Sequence, residues 1–424
     1  MKKSNLILGL DVDQDTVTIK VDKTAHPVFL DDFRYQYEGV NLEDVPEEIL
    51  LIPFVLNIAP VVWLLGLHVD IPALDEDFRE SLLDIRRAFL QMYPDLSWCG
   101  NIYTEASQIA APGDWSKDSI VTLFSGGVDS IATSFRHYQK RQVLVTVAGA
   151  DIGLQDELGW ARVKKNTQEY ASSINGVSYL VKCNIQGFLN YRYLDGFCGS
   201  DCHWWVYAQH GIGLSSLMAI PSYLEHAGIC LIASTHDSTF YDKPWGSHPK
   251  IDNLIRWFGS KVSHDCYDLN RQKKIEMIYG LRKELGTPTL RVCYINEGGE
   301  NCCECEKCLR TIVALVLVGA SNDLPGFGFP IDVEYLRPVL VEKFNKVQFN
   351  FNDNTTYQWN ELKYSAMDSS EENDVVKWLK EFDFENYRSI SEVKFSRYRS
   401  IKNIISKVPG LVRFLRSIRR RLDV

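Results

Sequence analysis

The stretch that most constrains this chain is Ser119-Ile-Val-Thr-Leu-Phe-Ser-Gly-Gly-Val-Asp-Ser-Ile-Ala-Thr-Ser134. An apolar run, Ile120 to Phe124, feeds directly into Ser125-Gly126-Gly127-Val128-Asp129-Ser130, and Ile131, Ala132, Phe135 and Tyr138 follow at helical spacing. A buried strand, a tight glycine turn and a helix start are the parts that hold a phosphate. Glycines let the backbone approach closely, and N–H groups at the helix start meet the oxyanions. The segment lacks the lysine of a GxxxxGK[ST] loop, so it is not that motif. Ser125, Ser130 and the backbone of Gly126, Gly127 and Val128 are the expected donors. Asp129 carries negative charge toward phosphate and is expected to act through Mg²⁺ or water.

Downstream, strand and helix signals alternate. Val143–Val147 is a short β-branched run, followed by Asp151 and a helical stretch from Trp160 to Ala171. Ser178–Lys182 and Ile229–Ala233 read as strands, and Ile212–Leu224 as a buried helix. Such alternation predicts an α/β fold with a doubly wound parallel, Rossmann-like sheet, whose ligands lie beyond the carboxyl ends of the strands. That edge gathers Ser125–Ser130, Asp151 and Ser234-Thr-His-Asp237. Tyr241-Asp-Lys-Pro-Trp-Gly-Ser-His-Pro249 is too polar and aromatic for a core and too rich in Pro and Gly for a helix. It reads as a substrate loop, with Trp245 for stacking and Ser247 and His248 for hydrogen bonds, beside Ser234 and Asp237; a packed surface loop is the plainer alternative. His210 reads equally as a general base, a phosphate contact or a structural histidine. Lys273 and Lys274 are either phosphate-neutralising or solvated. Cys198 and Cys202-His203-Trp204-Trp205 read as thiols beside an aromatic wall rather than half a metal site.

The second strong signal is Cys293-x8-Cys302-x2-Cys305-x2-Cys308. Four thiolates at short spacing suit a tetrahedral metal, with an iron–sulfur cluster as the rival to Zn²⁺ and Cys303 as an alternative to Cys302. Clustered cysteines in a long chain that opens without a signal-peptide pattern predict a reducing cytoplasm.

The phosphate loop resembles that of the N-type ATP pyrophosphatase superfamily (PP-loop, adenine nucleotide α-hydrolase-like), matching Ser-Gly-Gly-x-Asp-Ser at all six positions. The cysteine spacing, with Arg310 close behind, resembles that of the 7-cyano-7-deazaguanine synthases, which carry the same loop. The resemblance covers roughly residues 119–320. It implies a Rossmann-like domain of the kind shared by that superfamily, closed by a four-cysteine zinc knot, with ATP, Mg²⁺ and Zn²⁺ as cofactors. It implies a carbon–nitrogen ligase: a carboxylate is adenylated with loss of pyrophosphate, then ammonia or an amine displaces AMP. Asp129, Ser130 and His210 would be catalytic, and Ser125 to Ser130 with Asp151 would hold ATP. The chain departs from that family where Ala208-Gln-His-Gly211 replaces a Gly-Arg-Asn segment and Ser234-Thr-His-Asp237 replaces Thr-Gly. The acyl substrate is therefore open, from a deazaguanine to a sugar or metabolite in a polysaccharide or specialised pathway. A tRNA-modifying thiolation enzyme and a nucleotide-binding scaffold without turnover are the other readings.

The flanks are expected to be separate: an N-terminal α+β region 1–115, the loop domain 116–325 with its metal end at 293–310, an accessory region 326–387 and a basic tail 388–424. Thr16–Asp22 alternates as a half-buried strand, and Ala111-Pro-Gly-Asp114 reads as a linker. Ile49–Val69 has membrane-spanning length, but it holds Pro53, Asn57 and Pro60 and lacks flanking Lys or Arg. It therefore reads as buried helix. Asp75–Tyr93 has helical spacing, and Glu371–Phe384 reads as an amphipathic helix. The tail holds eleven Lys/Arg against two acids, so it carries +9 and the remainder −18 of the net −9. An acidic body argues against a nucleic-acid surface. Small-molecule carboxylate and amine partners are expected. Homodimerisation, and docking of the amphipathic tail Ile401–Leu422 on its own body, another protein or a membrane surface, stay open.

Overall fold

The computed structural model describes residues 4–107, 115–199, 203–240, 244–293, 295 and 298–406. The chain divides into two compact units, Met1–Cys302 with Gly326–Gly328, and Cys303–Pro325 with Phe329–Val424.

The first unit is built on one nine-stranded sheet. Its strands are β1 (Ile7–Asp13), β2 (Thr16–Val21), β3 (Phe33–Tyr37), β4 (Ser116–Leu123), β5 (Arg141–Ala148), β6 (Val177–Cys183), β7 (Ala227–Ala233), β8 (Arg256–Trp257) and β9 (Ser260–Asp265). Their spatial order is β8-β9-β7-β4-β5-β6-β3-β2-β1. The five strands β9, β7, β4, β5 and β6 are parallel, and antiparallel strands flank them on both sides. The sheet is therefore mixed, where the sequence predicted a purely parallel one. The reason is a non-local pairing: β3 lies against β6, with Tyr35 opposite Cys183 and Tyr37 opposite Val181. A strand edge left bare would be an aggregation hazard, and β3, backed by β2 and β1, covers it. The boundary expected at residue 115 accordingly falls inside a compact unit.

The parallel strands run buried through their centres, as sheets covered on both faces do. In β4, Ser119 to Thr122 are buried; in β5, Gln142 to Thr146 are. From β4 the chain moves to β5 and β6 on one side, then returns to β7 and β9 on the other. The order reverses at β4, and that reversal opens a crevice beyond its carboxyl end.

Ile52–Leu64 forms helix α1, and every one of its residues is buried. A helix apolar all round has to be enclosed. Its single polar side chain is fully satisfied: Asn57 donates to the Pro53 carbonyl at 2.8 Å and accepts from Gln209 at 2.7 Å. Gln209 in turn accepts from Trp204 and Tyr191, each at 3.0 Å. No helix among the described residues is long and apolar enough to cross a membrane. Glu76–Met92, as predicted, forms helix α2, capped by Asp75, whose side chain accepts from Phe78 N at 3.0 Å. The buried Ile212–Leu224 segment is two helices, His210–Ser216 and Ala219–Leu224.

The second unit holds only helices among the described residues, so the α+β expectation for the C-terminal region does not hold there. Its core is aromatic. The Phe344 ring sits 4.9 to 5.2 Å from those of Tyr387, Phe382, Trp359 and Trp378. The expected amphipathic helix appears as Asp374–Glu381, with Val375, Val376 and Leu379 buried. The linker Ala111–Asp114, Cys202, the start of the expected substrate loop at Tyr241–Lys243 and the tail from residue 407 onward lie outside the described residues.

Candidate functional site

The Ser125–Ser130 loop forms as its sequence requires. Phe124 ends the apolar run, Gly126 turns at φ +72°, and Gly127 starts helix α3 (Val128–Arg136) with no side chain capping it. A side chain at residue 126 would be strained in that left-handed conformation. Ser130 ties the turn together, accepting from Ser125 N at 3.3 Å and donating to the Gly127 carbonyl at 3.2 Å. The Ser125 hydroxyl lies 3.3 Å from that of Ser130 and accepts from Gly127 N. The two serines shape the loop, and the uncapped first turn of α3 keeps its N–H groups directed at the crevice.

Asp129 does not stand alone. Arg271 donates to one carboxylate oxygen at 3.1 Å and Lys274 to the other at 3.2 Å. Both cations come from helix α4 (Arg271–Leu285), whose first turn Asn270 caps through Lys273 N. Lys274 is fully buried and also donates to the Ser234 carbonyl. One buried ammonium therefore joins the loop after β4 to the loop after β7. Lys273, by contrast, is exposed and pairs with Glu276.

Ser234 is buried, donates to the His236 carbonyl, and is held by a bond from its own N–H to the Asp265 carbonyl at 2.9 Å. Burial alone would raise the Asp265 carboxyl, but hydrogen bonds from His137, Cys266 and Thr133 outweigh it and hold the group below its ordinary range. Burial pushes the neighbouring Cys266 thiol up to about 12, and Cys230 likewise to about 12. Asp237 closes a tight turn by accepting from the backbone and hydroxyl of Thr239. His236 stacks on Phe240 at 4.3 Å, and Trp245 meets its edge at 4.8 Å.

The other residues expected to contact substrate serve the loop itself. Ser247 donates to the fully buried Asp252 at 2.8 Å, and His264 contacts the same oxygen at 2.8 Å. His248 caps the short turn Pro249–Asp252. His210 begins the helix beside this loop, its ring edge-on to Trp205 at 5.3 Å. Gly211 N donates to the Gly246 carbonyl, and a Cβ at 211 would sit 2.4 Å from Asp252 Oδ1. Only glycine permits that approach. Trp204 is buried, Cys198 is partly buried, and the exposed His203 contacts Asp195 at 3.2 Å.

Arg291 closes the other side of the Ser125–Ser130 loop. Its N–H donates to the Gly126 carbonyl at 2.7 Å and its Nε to the Ser125 carbonyl at 3.1 Å. Burial lowers the guanidinium's pKa, with Asp151 and Cys293 partly opposing. Arg291 separates two cavities. One, about 210 Å³, has Phe124, Tyr170, Ser125 and Gly126 on its wall; the other, about 430 Å³, has the exposed Asp151, with Asp156 and Cys293.

The sulfurs of Cys293, Cys302, Cys305 and Cys308 all lie within 4.8 Å of one another. Zn–S bonds of about 2.3 Å in a tetrahedron put sulfurs roughly 3.8 Å apart, so the four thiols fit a metal ion with little movement. Cys302, not Cys303, joins the group; Cys303 takes φ +57°. Asn301 sets the register, accepting from Val292 N and Cys293 N while donating to the Leu290 and Gly328 carbonyls. Cys305 caps helix α5 (Glu306–Leu317), its sulfur accepting from Cys308 N.

Sequence reasoning did not single out Arg271, Arg291, Asn301 or Asp265. Only the basic run at the start of α4 signalled any of them. No family model matches the chain, and no curated protein matches it.

Proposed function

We propose that the protein is an ATP-dependent ligase of the PP-loop kind, which adenylates a small carboxylate and passes it to ammonia or an amine. The observation that carries the reading is the Ser-Gly-Gly-Val-Asp-Ser loop at the point where the strand order reverses, with Arg271 and Lys274 converging on Asp129. The chemistry needs phosphate held in line and charge neutralised as pyrophosphate leaves. A carboxylate oxygen bonds to the α-phosphorus while the bond to the α–β bridging oxygen breaks. The amine nitrogen then bonds to the acyl carbon, AMP leaves, and the nitrogen sheds a proton.

In this reading the first-turn N–H groups of α3 and the loop backbone bind the phosphates. Arg271 and Lys274 move part of their interaction from Asp129 to the oxyanions. Mg²⁺ would arrive with ATP and share the neutralisation; Asp129, already facing two cations, suits a site that receives the ion rather than one that stores it. Phe124 and Tyr170 wall the recess taken by adenosine, with Asp151 across Arg291. The acyl group would lie toward Ser234 and Trp245, and His210 is the candidate to accept the amine's proton. The four cysteines would hold zinc as a closed, structural site, in a cytoplasmic enzyme.

The test is direct. Incubate the protein with ATP, Mg²⁺, ammonium and either 7-carboxy-7-deazaguanine or a panel of carboxylates, then measure AMP, pyrophosphate and product mass. AMP formation that depends on one carboxylate supports the reading. If no carboxylate raises AMP above background, the ligase reading fails.

A further inference from the structure

A second, smaller parallel sheet ends in a cavity that shares no lining residue with the recesses beside Ser125–Ser130. Strand His68–Asp70 lies between Ser4–Asn5 and Asn101–Tyr103, parallel to both. Past the carboxyl ends of the two longer strands, with α2 as a wall, opens a cavity of about 640 Å³. Ligands of parallel sheets sit at such ends. Leu82, Tyr103 and Trp63 give the cavity apolar surface, and Arg79 and Arg86 give it two guanidinium groups.

Neither guanidinium pairs with a carboxylate among the described residues. Arg86 is positioned by neutral acceptors, donating to Asn101 Oδ1 at 2.6 Å and to the Trp98 carbonyl at 2.9 Å. Among the described residues Arg79 makes no hydrogen bond or ion pair. Other acids of α2 are engaged elsewhere: Asp84 pairs with Arg256 at 2.9 Å and Arg87 at 2.9 Å. Two carboxylates do line the cavity, but Asp70 has a partner of its own and Glu105 is exposed. The Arg79 guanidinium is half-buried in the cavity wall without a paired carboxylate among the described residues, and a charge left uncompensated there is costly to the chain alone. An anion repays that cost, and a planar carboxylate or a phosphate matches the guanidinium fork.

We propose that this cavity binds a small metabolite with a carboxylate or phosphate head and an apolar, aromatic-sized body. The head lies against Arg79 and Arg86, and the body against Leu82 and Tyr103. The site is independent of the ligase reading.

Fluorine NMR on the full chain tests it, using 4-(trifluoromethyl)benzoate and 4-(trifluoromethyl)phenyl phosphate as probes. The matching benzyl alcohol and benzylamine serve as controls. At least one anion should bind saturably, and the alcohol and amine should not; the preferred anion tells a carboxylate site from a phosphate site. Saturating ATP should leave that binding intact, which separates this cavity from the phosphate loop. Arg79→Gln should weaken binding about tenfold or more, as expected for a lost charge-assisted bond. Arg79→Lys, which keeps the charge but not the fork, should fall between and guards against a misfolded glutamine variant. Displacement by ATP, binding of the amine instead, absence of saturable binding, or equal affinity in both Arg79 variants and the wild type would each overturn the proposal.

Discussion

At the carboxyl end of β4 two cations face one carboxylate, Asp129; at the ends of His68–Asp70 and Asn101–Tyr103 two guanidinium groups line a cavity without an ion-paired partner. The first recess is charge-compensated before any ligand arrives. In the ligase reading an incoming phosphate would compete with Asp129 for Arg271 and Lys274. The second recess holds its charge in place with dipoles, an asparagine amide and a carbonyl. Compensation favours stability and exchange; dipolar support leaves attraction for a ligand undiminished. The two arrangements should respond oppositely to loss of a charged group.

The largest effect expected is from Cys305→Ser with Cys308→Ser. Metal content by elemental analysis should fall from about one ion per chain to none, since structural zinc sites are worth on the order of 10 kcal/mol. AMP formation should go with it, while the fluorinated benzoate still binds, if the two recesses are independent. Next comes Asp129→Ala. Removing one partner from a buried ion cluster costs about 3–5 kcal/mol and leaves two cations facing each other. The thermal midpoint should drop, and pyrophosphate release should slow by about 10² or more. Arg79→Gln should do the reverse at the second recess: the midpoint holds or rises slightly, and AMP formation is unchanged. A midpoint falling as far as that of Asp129→Ala would erase the contrast.

The smallest effect concerns pH. The Asp265 carboxyl is held below its ordinary value of 3.8 in the folded chain. Its contribution to stability is therefore full above that value and is lost as pH falls through the lower, folded one. Asp265→Asn should flatten the decline in thermal midpoint as pH falls below about 4.

The two recesses also differ in how far the sequence announces them. The run from Ile120 to Ser134 declares strand, turn and helix locally, because each depends on neighbours within a few residues. The cysteine spacing is similarly local, apart from the arm to Cys293. Arg291 reaches back 166 residues to Ser125, and β3 pairs with β6 across nearly as many, so neither leaves a local trace. The three-residue strands at His68 and Asn101 are too short to show a period at all. Ser247 and His248 illustrate a different ambiguity. Polar residues in a glycine-rich loop look alike in sequence whether they face a ligand or, as here, latch the loop to Asp252 and Lys250 N.

Helix α1 carries a consequence for how the chain is made. Its Asn57 amide oxygen finds its partner in Gln209, 152 residues later. At a synthesis rate of roughly 5–20 residues per second, that partner emerges about 8–30 s after the helix. Throughout that interval a helix whose every residue is buried in the finished fold waits without part of its core. Its burial depends on sequence not yet translated, as does the docking of β3 on β6. Nascent chains halted before residue 209 should therefore engage chaperones strongly, and chains released after it should not.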